Sequence, residues 1–144
     1  MNDAEVVIIE DNPYDAELIV RCLRQNRLLG KLVILEDGEM ALDYVFSRGP
    51  YADRKLTDMP IVILLDLKIP LVSGLEVLKQ IKSNERTRKI PVIIVSSSKE
   101  ESDIITAYNY GANSYIVKPV DFGEFNDKIN LIGLYWLSAN ERPV

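Results

Sequence analysis

Four short apolar runs of this 144-residue chain end in residues able to do chemistry. Val6–Ile9 is followed by Glu10 and Asp11, and Ile61–Leu65 by Asp66. Ile90–Val95 is followed by Ser96, and Tyr115–Val117 by Lys118 and Pro119. Taken singly, an Asp after a strand is a turn former or a helix cap, and a Lys before proline is a solvated loop residue. Ser96 taken alone opens a serine-rich turn. The set asks for more. Three carboxylates brought to one edge repel each other unless a cation holds them. Oxygen ligands without His or Cys select a hard cation such as Mg2+. One carboxylate could then act as a nucleophile toward a phosphoryl group, giving an aspartyl phosphate. A hydroxyl and an ammonium would hold the phosphoryl oxygens.

Positioning these residues together requires a particular order of elements. β-branched runs alternate with amphipathic stretches along the whole chain. Asn12 caps and Pro13 starts a helix carrying Leu18, Ile19, Cys22 and Leu23 at helical spacing, closed in the region of Gly30. Lys31–Leu35 is a second strand. Asp37 caps a helix with Ala41, Leu42 and Val45 on one face. Ser47 to Met59 reads as a long exposed loop. Ile61–Leu65, apolar throughout, suits a parallel strand buried on both faces. Pro70 and Gly74 break the chain before a helix with Leu75, Leu78 and Ile81. Asp103–Tyr110 is a helix ended by Gly111, and a last helix runs from about Phe122 to Leu137. Five β-α units predict an α/β fold with a five-stranded parallel sheet and helices on both faces. In such a sheet the site lies beyond the carboxyl ends of the strands, where all the residues named above would sit. Nothing is left for a second domain, so residues 1–144 read as one.

Composition narrows the function classes. The chain carries 22 acidic and 17 basic residues, a formal charge of −5, which argues against duplex DNA or an anionic membrane as partner. The absence of histidine removes Ser-His-Asp catalysis, His-ligated zinc and any phosphohistidine made by the chain itself. Cys22 is the lone cysteine, which fits a reducing compartment. No apolar run approaches the ~20 residues of a membrane helix, and the acidic N-terminus is unlike a signal peptide, so a cytoplasmic protein is expected.

On these motifs the chain resembles the receiver domain of two-component response regulators, the single-domain CheY-like type with a flavodoxin-like (βα)5 fold. The resemblance rests on Glu10-Asp11, on Ile63–Pro70 around Asp66 with Gly74 after it, on Ser96, and on Gly111–Pro119 around Lys118. It runs from Val6 to about Leu137. It implies that Asp66 accepts a phosphoryl group from a phosphohistidine on a partner histidine kinase. Mg2+ would be held by Asp11, Asp66 and the backbone carbonyl of Lys68, with Glu10 acting mainly through water. Lys118 would pair with Asp66 and then with the phosphoryl group. Ser96 would swing onto a phosphoryl oxygen while Tyr115 rotates inward, remodelling the α4-β5-α5 face, that of the fourth helix, fifth strand and fifth helix. The Lys118–Pro119 bond is expected to be cis. Lys68 and Ser98 stand where the family tunes phosphate lifetime. A cation at Lys68 is unsuited to positioning water, which predicts slow self-dephosphorylation.

Two segments go beyond the minimal pattern. Gly49–Leu56 lengthens the connection into the third strand, either as a tolerated insertion or as a partner contact. The final helix carries one apolar stripe of Phe122, Phe125, Ile129, Ile132 and Trp136, and a second of Leu131, Leu134 and Tyr135. The second stripe reads either as a wide buried face or as a homodimer surface on the α4-β5-α5 face, together with Ile104 and Tyr108. Both segments resemble the stand-alone regulators that serve phytochrome-type histidine kinases.

Three functions compete. A phosphorylation switch would signal through an altered protein-binding face to a downstream protein. A haloacid-dehalogenase-type phosphatase needs an Asp two residues after its nucleophile, where this chain has Lys68. A phosphorylation-independent pseudo-receiver would be expected to lack the acceptor or the lysine, and this chain has both.

Overall fold

The polar residues that start each helix also fix where each strand must stop. In the computed structural model, which describes residues 5–25, 31–55, 58–119 and 121–142, β1 (Glu5–Ile9) runs into α1 (Pro13–Gln25) through Asn12. The Asn12 side chain accepts from the amides of Tyr14 and Asp15 at 2.9 and 3.2 Å, satisfying two of the donors a helix start leaves open. β2 (Lys31–Leu35) leads to α2 (Gly38–Val45), capped by Asp37 through the Met40 amide. β3 (Val62–Leu65) leads to α3 (Gly74–Ser83), capped by Ser73. β4 (Val92–Ser96) leads to α4 (Glu101–Asn109), which ends against Gly111 at a φ of 104°, a left-handed conformation that favours glycine. β5 (Ser114–Val117) leads to α5 (Phe122–Leu134), capped by Asp121.

All pairings are parallel and the strand order is β2-β1-β3-β4-β5. Successive side chains of a strand face opposite sides, so each strand feeds two cores. Val7, Ile9, Ile63, Leu65, Val92 and Ile94 pack with α2, α3 and α4. Val6, Ile8, Val62, Leu64, Ile93 and Val95 pack with α1 and α5. β3 is buried at every residue, as its uninterrupted apolar sequence requires. Each such Ile or Leu contributes about 1.5–3 kcal/mol through burial. This is the five-stranded α/β sheet with helices on both faces read from the sequence.

Several expectations are corrected. The connection from Ser47 to Met59 is not simply exposed. It holds a 3-10 turn at Gly49–Tyr51, and Tyr51, Arg54 and Met59 are half-buried. The reason is Arg54, which donates to Glu5 Oε1 at 2.9 Å and to the Tyr44 carbonyl at 3.0 Å, and lies over the Tyr44 ring. Phe122 does not join the core stripe of α5. It is the first helical residue and is 47% exposed, whereas Phe125, Ile129 and Ile132 are buried and Trp136 packs beside them. The second stripe of α5 is exposed at Leu131, Leu134 and Tyr135, so it is not a wider buried face. Regular α-helix stops at Leu134, and a π-helical turn follows over Tyr135–Ala139. Among the described residues no peptide bond is cis, so Lys118–Pro119 is trans, the isomer an X–Pro bond favours by about 0.5–1 kcal/mol without local demand for the other. Gly30 lies outside the described residues.

Candidate functional site

Parallel strands deliver their carboxyl ends to one edge, and the candidate residues meet there. Glu10 follows β1 and is held by its amide bond to the Leu35 carbonyl, 3.0 Å. Asp66 follows β3, with its amide on the Ile9 carbonyl at 3.0 Å. Ser96 ends β4, and its carbonyl accepts from the Lys118 amide at 2.8 Å. Glu10, Asp66 and Ser96 are buried, whereas Asp11 is exposed. Carboxylate oxygens of Glu10, Asp11 and Asp66 lie within 4.8 Å of one another.

Lys118 reaches into this group from β5. Its Nζ donates to Glu10 Oε1 at 2.6 Å, Asp15 Oδ2 at 2.8 Å and Asp66 Oδ2 at 2.9 Å. Burial alone would lower the Lys118 ammonium, but the bonds to Asp15, Glu10 and Asp66 outweigh it and hold the group above its ordinary range. Burial pushes the Glu10 carboxyl up to about 7, against the pull of the Lys118 hydrogen bond and with help from the Asp66 charge. Added positive charge would favour its ionised form. The donor set therefore fits Mg2+: three convergent carboxylates, oxygen only, with a surplus of negative charge over the single ammonium. A cavity of about 440 Å³ between α1 and the β2 edge opens onto Glu10 and Asp11.

The remaining candidates sit around the acidic group. The Lys68 side chain is exposed, and its amide donates to Asp66 Oδ1 at 3.2 Å. Ser96 Oγ accepts from the Ser98 amide at 3.2 Å. Tyr115 is not among the carboxylates. Its ring packs against the core on the α2–α4 side, and its hydroxyl donates to the Ser98 carbonyl at 3.0 Å. Burial raises the Tyr115 phenol. Ser98 Oγ in turn donates to Asp103 Oδ2 on α4 at 2.5 Å. Ser98 is thus joined at once to the β4 hydroxyl, the β5 aromatic and the first turn of α4.

Asp15 was not among the sequence candidates. It stands four residues after Asp11 in the first turn of a helix, where an acidic residue already has an ordinary explanation in the helix dipole. Only the position of Lys118 in space reveals its second partner.

The profile described as the response regulator receiver domain matches residues 6–130. The probable methanogenesis regulatory protein FilR2 of Methanothrix harundinacea is 39% identical over 139 residues, 96% of this chain and 86% of that protein. The response regulator Rcp1 of Synechocystis is 30% identical over 138 residues, 96% of this chain and 92% of that protein. The Mn2+-bound crystal structure of Rcp1 superposes with a TM-score of 0.91 over 98% of this chain and 99% of that one. The phosphorylated cyanobacterial phytochrome response regulator RcpA superposes with a TM-score of 0.92, at 33% identity over the whole of both chains.

Proposed function

This chain belongs to the response regulator receiver domain family, and from that premise we propose that it is a stand-alone, single-domain phosphorylation switch working in the cytoplasm. The observation that carries the reading is the Asp66 carboxylate: buried at the end of the central strand, beside Glu10 and Asp11, and bonded to Lys118 at 2.9 Å. An oxygen of Asp66 attacks the phosphorus of a phosphohistidine on a histidine kinase. The P–O bond forms, the P–N bond breaks, and the imidazole nitrogen leaves with the electron pair. Lys118 holds Asp66 in place beforehand and pairs with the phosphoryl oxygens afterwards. Ser96 leaves the Ser98 amide and donates its hydroxyl to a phosphoryl oxygen. Glu10, Asp11, Asp66 and the Lys68 carbonyl would hold Mg2+, which supplies charge neutralisation for the transferred group. A receiver domain is a signalling domain; the chemistry here is its own phosphorylation and dephosphorylation.

The Ser96–Ser98–Tyr115 and Ser98–Asp103 bonds supply the route from site to surface. When Ser96 moves, Ser98 loses a partner, and both Tyr115 and α4 are tied to it. The output is a protein contact on the α4-β5-α5 face. Ile104, expected on this surface, is half-buried, and its neighbour Ile105 is exposed instead; Ile105 and Tyr108 on α4, with Leu131, Leu134 and Tyr135 on α5, support a homodimer through that face as well as a downstream partner. A phytochrome-type kinase as donor is supported by the full-length likeness to RcpA and Rcp1. FilR2 is named for a different process, so phosphotransfer from purified kinases decides the donor.

The test is intact mass after incubation with acetyl phosphate and Mg2+. One phosphoryl adduct is expected on the wild type, absent in Asp66→Asn and absent with chelator. No adduct from acetyl phosphate or from a phosphorylated kinase would leave the phosphorylation-independent pseudo-receiver. Sedimentation of a monomer at high micromolar concentration, with and without the adduct, would remove the homodimer.

A further inference from the structure

An ammonium has three protons, and on Lys118 each already has a carboxylate acceptor. Glu10 takes one at 2.6 Å, Asp15 one at 2.8 Å and Asp66 one at 2.9 Å. Glu10 and Asp66 belong to the acidic group at the strand ends. Asp15 does not, since it comes from the first turn of α1. Its carboxylate does not act as the helix cap, because Asn12 Oδ1 already accepts from the amides of Tyr14 and Asp15. Its side chain is 30% exposed, against 11% for Lys118 and 9% for Asp66. The pair therefore ties the α1 rim of the site to the lysine that arrives from β5.

This arrangement has a consequence for both ligands of the proposed reaction. A phosphoryl oxygen can accept from Lys118 only if one carboxylate gives up its place as acceptor. Asp15 draws the ammonium toward α1 and adds a negative charge to a site that must accept a phosphoryl anion. The same charge offsets Lys118, which otherwise repels a divalent cation and binds Asp66 more tightly. We propose that Asp15 is a positioning residue that competes with Asp66 for Lys118, weakening the hold of the site on a phosphoryl anion and strengthening its hold on a divalent cation. This rests on the phosphoacceptor reading above.

The two effects have opposite signs, and a merely structural role cannot produce that. Isothermal titration of the full chain with Mg2+ alone, and with beryllium fluoride at saturating Mg2+ as a tetrahedral phosphoryl mimic, reads both. Asp15→Asn and Asp15→Ala both leave the Asn12 cap intact, and urea melts check their folding. Removing one nearby charge in a partly hydrated site is expected to weaken Mg2+ about 3–10-fold and tighten beryllium fluoride about 3–10-fold. Two constants moving in the same direction, or both staying within twofold of wild type, overturns the inference while leaving Asp66 as acceptor. A wild type that binds no beryllium fluoride with Mg2+ overturns the phosphoacceptor reading itself, and this inference with it.

Discussion

Gly74 lies so close to Asp66 that a Cβ built on it would stand 2.3 Å from the Asp66 carbonyl oxygen and 2.5 Å from Leu67 Cα. The Gly74 amide also donates to the Leu67 carbonyl at 2.9 Å. The start of α3 is thereby seated on the backbone that carries the proposed acceptor. Backbone atoms cannot yield as a side-chain tip can. Gly74→Ala is expected to cost about 3 kcal/mol, the upper part of the range for overpacking. It should also slow formation of the acetyl-phosphate adduct more than its loss of folded population explains. Urea unfolding together with adduct kinetics on the folded protein checks this.

Lys118→Met removes the cation from among Glu10, Asp15 and Asp66. Breaking a buried ion pair on one side is strongly unfavourable, but Asp15 is partly hydrated and Glu10 can take up a proton. A loss of about 1–3 kcal/mol is expected. Adding Asp66→Asn to Lys118→Met should recover part of it, since one of the facing charges is then gone. A double variant no more stable than Lys118→Met would show that the cost is packing and not charge.

The Glu10 carboxyl, raised by burial from its ordinary 4.5 to about 7, sets a pH dependence. A carboxyl raised on folding stabilises the metal-free protein below its unfolded value and loses that contribution as pH rises through about 7. Stability of the metal-free protein should therefore fall between about pH 4.5 and 7 on account of this group. Mg2+ competes with the proton, so its affinity should climb over the same window and level above it. Glu10→Gln should flatten both profiles, as read by urea melts and by Mg2+ titration at several pH values.

Arg54 pins the inserted connection to the opposite end of the sheet. It bonds Glu5 at the start of β1, and Tyr44 donates to the same carboxylate at 2.7 Å. Arg54→Ala is expected to destabilise the fold by about 1–3 kcal/mol, since the half-buried Glu5 loses its guanidinium and keeps only Tyr44 and Lys31 at 3.7 Å. Adduct formation at Asp66 should be unchanged. A variant that folds as wild type but loses kinase transfer would identify the connection as a kinase contact.

The Lys68 side chain is exposed beside the acceptor, while its amide holds Asp66 Oδ1. An ammonium cannot accept a proton from water. Lys68→Glu and Lys68→Asn, which can accept hydrogen bonds, should shorten the life of the adduct several-fold, followed by intact mass after removal of acetyl phosphate. An unchanged lifetime would show that Lys68 does not limit water attack.

The order of β-branched runs, caps and breakers was enough to determine the parallel sheet. Asn12, Asp37 and Gly111 act locally, and a run such as Val62–Leu65 can only be buried on both faces. The same order determined that Glu10, Asp66, Ser96 and Lys118 share one edge, because parallel strands all end on the same side. Tertiary structure alone decided the partners of long side chains. Asp15 meets Lys118 across 103 positions, and Arg54 meets Glu5 across 49. Neither pairing leaves a periodic mark in the sequence, because a salt bridge between distant elements depends on where helix α1 and the inserted turn are packed, and not on their neighbours along the chain. Burial of the second α5 stripe was undecided for the same reason. Leu131 and Ile132 are adjacent and both apolar, and the angle at which the helix lies on the sheet exposes one and buries the other.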